Sequence, residues 1–110
     1  MNTSLLLQQL VEIIVRMCDP AEIRLFGSYA KGRAEIHSDI DLLVVVQDKL
    51  PFQAIGNEIE GRLRQFPIGV DVILVSQDEL AKSNDNHLSF LNSIQQDYVS
   101  LYTKRLEKFT

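Results

Sequence analysis

The sequence has a single cysteine, Cys18, among its 110 residues, so no disulfide can form within the chain. That suits a reducing compartment, and the expectation is a cytoplasmic protein. Cys18 reads as a small, partly buried residue near a helix end, not as a nucleophile. Long apolar runs are also lacking. None approaches the ~20 residues that cross a bilayer as a helix, so no membrane partner is expected. Leu5, Leu6 and Leu7 have neither a basic flank nor a small-residue cleavage site, and read as part of a helix, not a signal peptide. Positive charge is in short supply. Eleven Lys and Arg stand against fifteen Asp and Glu, a formal net charge of −4. Extensive nucleic-acid binding wants a basic stripe, so a small molecule or a protein is the better partner. Repeats, low-complexity tracts and linkers are absent.

What is present is an ordinary globular mixture, 45% hydrophobic, in a length that suits one domain over residues 1–110 and can bury a core without cross-links or a structural metal. The apolar pattern alternates between helical and strand periods. Leu6, Leu10, Ile13, Ile14 and Met17 recur at helical spacing and predict a helix over 3–17, stopped by Asp19-Pro20. Residues 23–26 form a short strand candidate ending at Gly27, with a short helix expected over 28–31. Residues 39–46 are the strongest strand. Its apolar end predicts a central strand covered on both faces. Phe52, Ile55, Ile59, Leu63 and Phe66 give a helix over 51–66, and Val70 to Val75 the next strand. Ser76 and Glu79 have capping-box spacing and predict a short helix start. The last segment, 87–108, is expected to be helical, with Leu91, Ile94, Tyr98, Leu101, Tyr102 and Phe109 along one side. Helices must then cover a small sheet, whose strand directions the pattern leaves open.

The residues with chemistry to offer are three aspartates and a glycine turn. Asp39 and Asp41 are two apart at the head of a strand, so both face one side. Two carboxylates this close repel unless a cation lies between them. A hard divalent cation such as Mg²⁺ favours carboxylate and phosphate oxygens. Asp71 lies in a strand of apolar neighbours, where an unpaired buried carboxylate is costly. If that strand runs beside the first, the three acids could hold two metal ions. Gly27 allows a tight turn and close backbone approach. Ser28 follows it at a helix start, where N–H groups attract anions. Lys31 and Arg33 are cations placed to help. The blander readings are two solvated strand-end acids, Ser28 as a plain helix cap, an edge-strand Asp71 and a solvated Arg33. His37, His87 and the Lys104–Lys108 run read as surface residues.

The run Gly27-Ser28, ten residues, then Asp39-Ile40-Asp41 resembles the signature of the DNA polymerase β-like nucleotidyltransferase superfamily. The resemblance covers about residues 23–75. The fuller pattern, Gly-Ser-x-Ala-x-Gly and then Ser-Asp-x-Asp-Leu, is similar to that of the minimal nucleotidyltransferases. It implies an α/β (α+β) fold, a small mixed sheet flanked by helices like a polymerase β palm. It implies Gly27 and Ser28 on the nucleotide phosphates, and Asp39 and Asp41 ligating two Mg²⁺ ions. Asp71 would be the third acid, ligating the catalytic metal. Many such proteins are antitoxins that AMPylate a tyrosine of a HEPN-domain RNase toxin using ATP, which makes such a toxin the expected partner. Tyr29 occupies a variable position. Two other readings stand beside this one: an antitoxin that acts by contact alone, and an enzyme acting on a small-molecule hydroxyl.

Overall fold

Leu6, Leu10, Ile14 and Cys18 are all buried, and their spacing of four places them on one side of a helix. This is α1, Thr3–Cys18, in a computed structural model that describes residues 3–35, 38–47, 50–82 and 97–104. Asp19 ends the helix at φ 46, and Pro20 cannot continue it. The chain then enters β1, Glu22–Phe26, and the one-turn helix α2, Gly27–Ala30. β2 spans Ile40–Val46, α3 Phe52–Leu63, β3 Val70–Ser76, α4 Gln77–Lys82 and β4 Val99–Thr103.

The sheet order is β3-β2-β1-β4. β1 is antiparallel to β2 and β4, whereas β2 and β3 run parallel, as the α3 crossover between them permits. The sheet is therefore mixed, as expected. From Leu42 to Val46, β2 is buried on both faces. One face, with Ile40, Leu42, Val44 and Val46, packs on α1 and on Ile59 and Leu63 of α3 to form the main core. The other carries a smaller cluster of Leu43, Val45 and Val75, with Leu80 of α4 against it. α3 stops at Leu63, short of the residue 66 expected. The capping box forms as read: Glu79 N–H donates to Ser76 Oγ at 2.9 Å and Ser76 N–H to Glu79 Oε1 at 3.2 Å.

The end of the chain corrects the expectation of a final helix. Residues 99–103 form the edge strand β4 on β1. Leu91, Ile94, His87 and Phe109 lie outside the described residues. Val-Ser-Leu-Tyr-Thr is strand-favouring in composition, and the open edge of β1 supplies ladder partners that a lone helix would not have. Lys104, read as part of a helix-end cationic run, instead anchors this strand. Its backbone N–H reaches Ala21 O at 2.9 Å, and its ammonium pairs with Asp19 at 2.6 Å. Among the described residues, no helix is long and apolar enough to cross a membrane.

Candidate active site

The β2–β3 register sets Asp41 directly opposite Asp71. Strand alternation puts both on the face that carries Leu43, Val45, Ile73 and Val75. Asp41 is half-buried and Asp71 exposed. That corrects the idea of a buried third acid: β3 is an edge strand, and Asp71 near its start is open to water. Burial, then the charges of Asp71 and Asp39, then a hydrogen bond with the Asp71 side chain, raise the Asp41 pKa above its ordinary value. Two carboxylates in contact disfavour each other's charged form unless a cation lies between them.

Asp39 precedes β2 and is exposed. Its charge reaches Asp41, but its carboxylate lies over Gly69. A Cβ built at Gly69 would stand 2.9 Å from Asp39 Cγ and closer still to Oδ1. Among the described residues, no three acid, imidazole or thiol groups converge closely enough to form a ready metal cage. The structure thus brings Asp41 and Asp71 together and leaves Asp39 at their edge.

Gly27 sits at the end of β1, beside Asp41. Its φ is +76, and a Cβ there would lie 3.1 Å from Asp41 Cγ. Both the backbone and the carboxylate therefore require glycine. Ser28 is half-buried inside the one-turn helix. The helix cap is Phe26, without a side-chain cap bond, so Ser28 is not the plain cap that was its alternative reading. Arg33 N–H closes the turn onto Ser28 O at 2.8 Å. Lys31 is exposed and, with Ala30, Arg33, Asp97 and Tyr98, lines a separate concavity of about 400 Å³ that none of the three acids borders. His37 lies outside the described residues. Tyr98, expected in a helical core, is exposed, with its ring centroid 4.1 Å from the Arg24 guanidinium. Arg24 Nη2 donates to Glu22 at 3.0 Å, while its Nε, 2.9 Å from the other Glu22 oxygen, makes no aligned bond. This half-buried cation is held by Glu22 and Tyr98, not by the aspartates. Sequence reasoning missed Gly69. A lone glycine just ahead of a strand marks a close approach, and that was the available signal.

The donor set is all oxygen, which suits a hard divalent ion. The Asp39 carboxylate takes up the space that a side chain at residue 69 would fill. A concavity of about 710 Å³ is bordered by Arg64, Phe66, Gly69 and Asp71.

Carboxylates at the heads of adjacent parallel strands, beside a glycine turn, suit proteins that handle polyphosphates. The chain matches the nucleotidyltransferase domain family over residues 7–109, and it belongs to that family. Nucleotidyl transfer is the reaction of the family. No curated protein matches the sequence. Among solved structures, the fold is similar to that of a protein from Sulfolobus solfataricus described as a nucleotidyltransferase (TM-score 0.57, 21% identity, 87% of this chain and 76% of the other). It is similar also to a toxin-antitoxin structure with AMP-PNP (0.54, 22%, 88% and 73%). A third is described as a minimal nucleotidyltransferase (0.53, 21%, 88% and 90%). At these identities the likeness concerns the fold.

Proposed function

We propose that the chain is a Mg²⁺-dependent nucleotidyltransferase that moves AMP from ATP to a hydroxyl, that of a tyrosine on a partner HEPN-domain toxin. The observation that carries this is the register pair Asp41–Asp71 with Gly27 packed against it. Family membership supports the reaction type. A toxin-antitoxin neighbour with AMP-PNP supports the partner and the nucleotide. The net charge of −4 favours a protein over a nucleic-acid acceptor.

Asp41 and Asp71 would hold the divalent ions, joined by Asp39 on side-chain rotation, which its exposure allows. Bound there, the ions would neutralise the polyphosphate and acidify the acceptor hydroxyl. The chain positions the reactants. The Gly27-Ser28 turn brings backbone close to the phosphates, and Ser28 Oγ is the side-chain donor to them. The acceptor oxygen bonds to the α-phosphorus, the bond to the β-phosphate oxygen breaks, and pyrophosphate leaves. The hydroxyl proton passes to a carboxylate of the pair. Alignment and charge placement are the main contributions of such a site.

The test is transfer of label from α-³²P-ATP to the partner encoded beside this chain, with Mg²⁺ and with EDTA. Mg²⁺-dependent labelling of a partner tyrosine, abolished by Asp41→Asn, is the expected result. No labelling at any partner ratio sinks the proposal. The stance of Asp39, away from the other two acids, favours one rival, an antitoxin acting by contact alone. Neutralisation that survives Asp39→Asn/Asp41→Asn would select that rival.

A further inference from the structure

β3 is an edge strand without the usual defences. Edges are commonly blunted by Lys, Pro or a bulge, because a free row of peptide groups invites another chain. The opposite edge strand, β4, has such a defect: its register with β1 shifts between Ile23 and Arg24. β3 pairs with β2 over seven consecutive positions without a shift, and its sequence, Val-Asp-Val-Ile-Leu-Val-Ser, holds neither Lys nor Pro. Ile40 N–H donates to Gly69 O at 2.9 Å, so residue 69 turns its peptide groups to β2. Successive residues of a parallel strand turn theirs to opposite sides. Those of Val70, Val72 and Leu74 therefore face outward, where no strand lies beside them among the described residues.

A groove follows this edge. The concavity of about 710 Å³ has walls from both faces of the sheet. Leu63, Phe66 and Ile68 belong to the main-core side, and Ile73 to the other. Arg64 and Asp71 border it. Arg64 is exposed, and among the described residues no acid lies within ion-pair distance of it.

The glycine turn that ends β1, Asp41 on β2 and Asp71 on β3 follow one another across the sheet. In such a displacement the attacking and leaving oxygens lie roughly in line through phosphorus. With the leaving phosphates at Gly27-Ser28, the attacking hydroxyl comes from the Asp71 side, which is the β3 edge. An extended chain set against that edge sends successive side chains to opposite faces. One falls among Leu63, Phe66 and Ile68, and the next falls on the face of Asp71.

We infer that the acceptor polypeptide docks as an extended segment along Val70–Leu74, with an apolar side chain in the groove and the hydroxyl-bearing residue beside it on the Asp71 face. This rests on the transfer reaction and the phosphate placement proposed above. Main-chain hydrogen bonds supply affinity in such docking, and the side-chain pocket supplies selectivity. An acidic residue in the segment suits Arg64.

The experiment measures AMP transfer over a range of concentrations of the partner encoded beside this chain. Val70→Pro removes an outward N–H at the first residue of an edge strand, where proline is tolerated. Arg64→Glu reverses the charge beside the groove. Each is expected to raise KM for the partner about tenfold or more, with kcat and calorimetric binding of Mn²⁺ and a non-hydrolysable ATP analogue little changed. Arg62→Glu, exposed on α3 and not bordering the groove, leaves KM unchanged. Hydrogen exchange reads the docking in the wild-type chain, whether or not the variants fold: the amides of Val70, Val72 and Leu74 slow when the partner is added. Unchanged KM in both variants, or β3 amides indifferent to the partner, overturns the inference while labelling stands. Protection of the same amides in a dimer of the chain alone also overturns it. A wild-type chain that labels no partner overturns the transfer reading and this inference together.

Discussion

The environment of Asp41 opposes its ionisation. Burial and the facing charges of Asp71 and Asp39 raise its pKa. A carboxyl with a raised folded pKa contributes stability that is complete below its unfolded pKa and is lost as pH rises through the folded one. In EDTA the melting temperature should therefore fall as pH climbs out of the ordinary carboxylate range and through the raised pKa of Asp41. Asp41→Asn should flatten that dependence and melt higher than wild type at pH 7, while AMP transfer falls at least about 100-fold. Thermal melts across pH with a labelling assay check both halves, and a wild-type melting curve indifferent to pH would contradict the first. Cys18 shows the same kind of environment away from the site. Burial, then Asp19, raise its pKa to about 11, and its Sγ lies 3.5 Å from Ile14 O. It is the inert thiol that its place near a helix end suggested. Asp39, Asp41 and Gly27 were legible because two-residue spacing and a turn glycine have local meanings. Gly69 was not, because its meaning arises only when a residue some thirty positions earlier lies against it.

At the level of elements, local signals held where they were complete in sequence. The Ser76–Glu79 capping box forms in both directions. Ser76→Ala should cost about 1 kcal/mol, measured by urea denaturation. α3 carries two glycines inside the helix, Gly56 and Gly61. Gly56 makes only ordinary contact with Leu74, and Gly61 faces open space. Gly61→Ala should thus stabilise the protein by about 1 kcal/mol through helix propensity, and a loss of stability would reveal a neighbour at that position. β4 went the other way. Tyr98, Leu101 and Tyr102 fit a helical period, yet Val99–Thr103 pairs with β1. Short apolar segments satisfy both periods, and the ladder partner that decides between them is more than seventy residues away.

For the whole molecule, the proposal predicts linkage between ligand and fold. A Mg²⁺–nucleotide complex that binds only the folded chain adds about 2.7 kcal/mol at a concentration of 100 Kd. For a domain of this size that raises the melting temperature by roughly 10 °C or more. Differential scanning calorimetry with Mg²⁺ and a non-hydrolysable ATP analogue should show the rise in wild type and its loss in Asp41→Asn. No rise at saturating nucleotide would count against the site. The amino-acid order by itself determined the α1 stripe, the doubly covered β2 and the turn at Gly27, since each depends on residues a few positions apart. Only the tertiary structure decided that β3 runs parallel to β2 with Asp71 facing Asp41, that Asp71 lies open on an edge, and that the chain's end closes the sheet. Those outcomes depend on which segments share hydrogen-bond ladders, and the chain settles that only once the core has packed.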